Sequence, residues 1–169
     1  LSEARKVISK AGRALVVEGY FDVLGLAKAG IANVVAPCGT ALTTQQLKIL
    51  RGYSHNLVML FDSDEAGRRA AMRSLELSLE QGLRPSWLSV PDGKDPDDYV
   101  REQGAEAMRK LLDEGCRPLL DVYIDDKLAA AGGDRFAQDE ALGDLGRTLA
   151  KLPQTARTDH SIRIAGALG

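Results

Sequence analysis

Between residues 13 and 95, short β-branched or apolar runs alternate with amphipathic helical stretches, and this alternation constrains the fold more than any other feature. Ala14-Leu15-Val16-Val17 has the length and composition of a buried strand. A helical pattern through Phe21, Val23, Leu24 and Ala27 follows and stops at Gly30, a residue suited to ending a helix. Asn33-Val34-Val35-Ala36 reads as a second strand. Thr43 and Gln46 then have capping-box spacing and open a helix through Leu47 and Leu50 that closes at Gly52. Leu57 to Phe61 is the clearest strand, and a long helix from Glu65 to Gln81 ends before Gly82. Trp87-Leu88-Ser89-Val90 is a fourth strand. Strands separated by helices predict βαβ units, hence a mainly parallel sheet covered on both faces.

After Val90 the strand signal stops. Asp97–Glu102 and Ala105–Glu114 read as helices, and Pro118 suits the first turn of another reaching Ala131. Two more helical stretches, Arg135–Leu152 and Thr158–Leu168, follow Gly132-Gly133. The expected organisation is a lead-in segment (1–12), an α/β domain (13–95), an acidic loop with connecting helices (96–115) and a small helical bundle (116–169).

Composition narrows the function. With 44% apolar and 27% charged residues the chain is globular, and no apolar run approaches bilayer-spanning length. No signal peptide is visible, and Leu1 in place of Met suits a piece of a longer protein. Net charge is −2, so there is no global basic footprint for nucleic acid. Cys38 and Cys116 lack zinc-ligand spacing, and a reducing cytoplasm is expected.

Ligands of open parallel sheets bind beyond the carboxyl ends of the strands. The residues after the four strands are Glu18-Gly19-Tyr20-Phe21-Asp22, Pro37-Cys38-Gly39-Thr40, Asp62-Ser63-Asp64, and Pro91 through Asp98. Three of these four exits carry paired acids: Glu18 with Asp22, Asp62 with Asp64, Asp95 with Asp97. If a helix begins near Glu18, Glu18 and Asp22 share a face. Asp62 and Asp64 have strand-exit spacing, and Asp95 and Asp97 sit in a loop that Pro96 keeps from turning helical before Asp97.

Six carboxylates at one edge repel, at about 1 kcal/mol for a pair about 4 Å apart in water and about 4 at an effective dielectric of 20. A cation relieves this, and hard oxygen donors without His or Cys point to Mg²⁺ or Mn²⁺. More than one ion would suit in-line phosphoryl transfer. Each pair taken alone has a plainer reading: Asp64 could cap the long helix, and Asp95 and Asp97 could be turn residues. Gly39 and Thr40 offer backbone amides to a phosphate or simply form a turn. Lys94 is a further possible phosphate contact, although Gly93-Lys94 lacks the rest of a P-loop. Arg68, Arg69 and Arg73 read as a solvated helix face or else as a contact with nucleic acid or a neighbouring domain, and His55, His160 and Cys38 as chemically idle.

The pattern resembles the Toprim domain of topoisomerases, primases and some nucleases. Val17-Glu18-Gly19-Tyr20-Phe21-Asp22-Val23, Gly39-Thr40-Ala41-Leu42-Thr43, Phe61 through Arg68, and Asp95-Pro96-Asp97-Asp98-Tyr99 are similar to the motifs of bacterial DnaG-type primases. The resemblance is dense over 13–103, thinner through Pro118-Leu119-Leu120-Asp121, and past Gly132 rests on helical pattern. It implies Glu18, Asp62 and Asp64 as principal catalytic metal ligands, with Asp22, Asp95 and Asp97 supporting. It also implies primer synthesis from ribonucleoside triphosphates on single-stranded DNA, at the replication fork in the cytoplasm. A replicative helicase would bind through a domain not visible here. The family's basic catalytic half and zinc module are also not visible, so weak or no activity is expected of residues 1–169 alone. A topoisomerase or nuclease would use the same acids. A phospho-acceptor domain would instead need one reactive Asp, and a non-catalytic Toprim scaffold would fail a metal titration.

Overall fold

The computed structural model describes residues 3–37, 42–61 and 64–168, with Leu168 described by its backbone only. The chain divides into two compact units, Leu1–Leu119 and Leu120–Gly169. The first runs α1 (Ala4–Ala11), β1 (Ala14–Val16), α2 (Tyr20–Lys28), β2 (Val34–Val35), α3 (Thr44–Arg51), β3 (Asn56–Met59), α4 (Glu65–Glu80), β4 (Arg84–Trp87), α5 (Pro96–Glu114) and β5 (Arg117–Pro118).

The sheet order is β2-β1-β3-β4-β5, with the first four strands parallel and β5 antiparallel to β4. Register places Leu15 beside Val34 and Val58, and Val16 beside Val35 and Met59. Alternation then sends Leu15, Val17, Val34, Val58 and Leu60 into one core with Leu26 of α2 and Val100, Met108 and Leu112 of α5. On the other face Val16 shares a cavity with Ile49 and Leu50 of α3, and α3 packs on α4. Both faces are covered, as a parallel sheet requires.

Two expectations change and two gain detail. The segment 1–12 holds a helix, α1, with Ile8 fully buried and Gly12 closing it in the left-handed region (φ 67°). The fourth strand lies three residues earlier than expected, at Arg84–Trp87 and through Pro85. Arg84 donates to His55 O and Leu88 to Met59 O, so the even-numbered amides face β3. Pro85 therefore lacks its N–H on the far side, where β5 pairs only with Ser86 and Trp87. Pro118 belongs to that short edge strand, not to a helix, and α6 (Leu119–Ala131) starts one residue later. The sheet is thereby mixed. Finally, α5 begins at Pro96 and is broken at Gly104 (φ 86°), which accounts for the two helical stretches in the sequence.

The second unit contains α6, α7 (Arg135–Leu149) and α8 (Gln154–Leu168). Asp134 caps α7 through Ala137 N at 3.0 Å. Arg163 of α8 pairs with Asp121 and Asp125 of α6, and Lys127 of α6 pairs with Asp144 of α7. The hydrogen bond from Lys127 holds the Asp144 carboxyl below its usual range. A lowered folded pKa contributes stability above the unfolded value, and that contribution disappears as pH falls through the folded one. Acid titration from pH 4 downward should therefore loosen this unit, and Asp144→Asn should flatten that dependence. Amide exchange of α6 and α7 measures it; an unchanged profile in the variant would discount the pair. Among the described residues no helix is long and apolar enough to cross a membrane.

Candidate metal and nucleotide site

The ends of β1 and β3 define the site. Leu60 N donates to Val16 O at 2.9 Å and Val17 N to Val35 O at 3.0 Å, so the ladder continues to where the chain turns into Glu18. Glu18 is exposed and precedes Gly19, whose extended backbone (φ −119°, ψ 167°) starts α2. The helix thus begins two residues after Glu18, and the shared helical face expected for Glu18 and Asp22 does not form. Asp22 instead turns back, its Oδ2 accepting from Gly19 N at 3.0 Å.

Asp64 follows β3 and caps α4: its Oδ1 accepts from Gly67 N at 2.7 Å. Asp62, Gly39 and Thr40 lie outside the described residues. Asp95 caps α5, its Oδ1 accepting from Asp98 N at 2.7 Å, with Pro96 in the first turn. Asp97 sits in that turn, 3.9 Å from Arg101. The loop before it contains Asp92 (φ 61°) and Gly93 (φ 67°), both left-handed. Lys94 is paired with Glu102, a hydrogen bond that raises the Lys94 pKa and lowers that of Glu102. The proposed phosphate contact is thus already engaged in the protein.

Gly25, which is no part of the acid pattern, also shapes the site. A β-carbon on Gly25 would lie 2.6 Å from Asp97 Cγ, so α5 approaches α2 at a position that only glycine leaves open. Gly25 stands one turn on from Asp22, which brings Asp97 to the same face of α2 as Asp22. The available signal was a glycine inside a helical pattern, which costs about 1 kcal/mol against Ala and calls for a packing reason.

The donors are carboxylate oxygens, matched to a hard divalent cation. Three of them, on Asp22, Asp64 and Asp95, each commit one oxygen to a backbone amide, which fixes the carboxylate's direction. Among the described residues, no three acidic, His or Cys side chains gather closely enough to hold an ion. The donor chemistry fits such a cation, while closure of the site around one is not present in the described set.

Residues 15–100 match the Toprim-like family model. The chain is 39% identical over 170 residues to the DNA primase of Synechococcus elongatus, covering 96% of this chain and 24% of that protein. The chain thus spans about a quarter of the length of that relative. The E. coli primase catalytic core superposes with a TM-score of 0.88 at 30% identity, over 98% of this chain and 54% of that one. A DnaG primase catalytic domain bound to single-stranded DNA gives 0.87 at 29% identity, over 98% and 55%. Toprim primases as a group work with divalent metal ions. With the α/β sheet, the acid-bearing strand ends and these likenesses together, the chain belongs to the bacterial DnaG-type primase family and carries that family's Toprim domain.

Proposed function

We propose that this chain is the metal-holding part of a DNA-directed RNA polymerase that makes short RNA primers for replication. Its substrates are ribonucleoside triphosphates and a single-stranded DNA template, in the cytoplasm at the replication fork. Binding of the replicative helicase belongs to other parts of the enzyme. The observation that carries the reading is the adjacency of β1 and β3, Val16 beside Met59, with Glu18 and Asp64 following within the Toprim match. The primase relatives favour this over a topoisomerase or nuclease built on the same acids.

In this reading Glu18, Asp62 and Asp64 are the principal ligands of Mg²⁺ or Mn²⁺, and Asp22, Asp95 and Asp97 support them. Bound divalent ions neutralise triphosphate charge and make a 3′-hydroxyl a better nucleophile. The protein's own part is to aim carboxylates. The amide of Gly67 orients Asp64, that of Asp98 orients Asp95, and that of Gly19 orients Asp22. Gly39 and Thr40 are proposed to lie against phosphates, and Lys94 could reach one only by leaving Glu102.

Mn²⁺ titration followed by amide NMR tests the site. Paramagnetic broadening should strike Glu18, Gly19 and the residues around Asp64 first. Broadening centred elsewhere, or none at millimolar metal, would refute the assignment.

A further inference from the structure

Two aromatic side chains open α2 between the acids Glu18 and Asp22, and they do different things. Tyr20 lines an apolar cavity with Val35, Pro37, Leu42 and Ile49. Phe21 is 81% exposed, the highest value of any large apolar residue among the described residues. Leu24, one turn along on the same side, is 38% exposed.

A protein surface laid over Phe21 would also withdraw the adjoining carboxylates from water. Desolvating carboxylates outweighs what burying one phenyl ring returns. A nucleotide avoids that conflict, because it arrives with cations that offset the carboxylates while its base offers a flat, uncharged face. We propose that Phe21 is a stacking platform for a nucleobase, from the incoming nucleotide or the template, beside the metal-holding acids. This rests on the metal-site reading above and adds to it the group that holds the base, for which the carboxylates have no affinity. An exposed aromatic ring in a nucleic-acid site contributes a stacking energy that tolerates any base.

The test uses the full 169-residue chain loaded with Mn²⁺, and four titrants. ATP is compared with inorganic tripolyphosphate, from which it differs by the whole nucleoside, and a single-stranded DNA hexamer with its abasic counterpart, from which it differs only in bases. The parent should bind the base-containing member more tightly, by roughly five- to a hundredfold, in the pair that supplies the base. Phe21→Leu should erase that difference without changing tripolyphosphate affinity, and Phe21→Trp should keep it. The pair that responds identifies the source of the base. Equal affinities within both pairs for the parent, or full retention by Phe21→Leu, would overturn the proposal. So would a fall of several degrees in melting temperature for Phe21→Ala that Phe21→Leu restores, the mark of a packing role. Glu18→Gln reads the underlying site separately: it should weaken tripolyphosphate binding, and if it does not, the metal reading fails while the base-dependent DNA difference still judges Phe21.

Discussion

Replacing Glu18 by Gln should lower templated RNA synthesis by about a hundredfold or more in a primase carrying this chain as its Toprim half. The melting temperature should stay within about a degree, because an exposed side chain outside any helix or strand rarely contributes more than about 0.5 kcal/mol. The physical basis is the removal of one formal charge and one oxygen donor where β1 meets the end of β3. Gln keeps the shape of Glu, so lost activity with unchanged stability isolates the charge. Raising Mn²⁺ should recover part of the loss if the defect is metal affinity, and none if Glu18 acts on substrate directly. Activity within tenfold of the parent would remove Glu18 from the catalytic set.

The second large effect separates two duties of one residue. Asp64 caps α4 through Gly67 N, a contact whose loss typically costs about 1 kcal/mol. Asp64→Ala should therefore lower the melting temperature by a few degrees and abolish metal-dependent stabilisation as well. Asp64→Ser retains a side-chain oxygen for the amide but carries no charge. It should recover most of the stability and none of the Mn²⁺ stabilisation. Thermal melts with and without metal distinguish the outcomes. If Asp64→Ser restores both, Asp64 is a cap alone, and the site must be rebuilt around other acids. The same logic bears on the repulsion among the acids: Asp22, Asp64 and Asp95 each gain a backbone amide that offsets part of it.

Local chemistry accounts for what could be read in advance. Thr43 and Gln46 carry a reciprocal cap, with Thr43 N to Gln46 Oε1 at 2.9 Å and Gln46 N to Thr43 Oγ1 at 3.3 Å, and four residue types suffice to predict it. Gly30 and Gly82 end their helices at φ 76° and φ 69°, where a side chain would be strained. The long helix after Asp64 and the break at Gly104 are equally local. The fourth strand reads three residues late in the sequence because Leu88 and Val90 are fully apolar and Pro85 argues against a strand. Only the pairing shows that Pro85 points its missing donor at a gap beyond β5.

Sequence by itself determined the alternation of strands and helices, the identity of the acids, and their position after strand ends. Those follow from periodicity, turn chemistry and charge, which act within a few residues. The amides that hold Asp22, Asp64 and Asp95 lie three residues away in sequence, whereas tertiary structure alone decided where Asp97 sits. Asp97 meets α2 only because Gly25 has no side chain. The antiparallel edge at Arg117–Pro118 likewise needs β4 beside it before it exists. Such features rest on contacts between segments far apart in the chain, and no local pattern encodes the distance at which two helices pack.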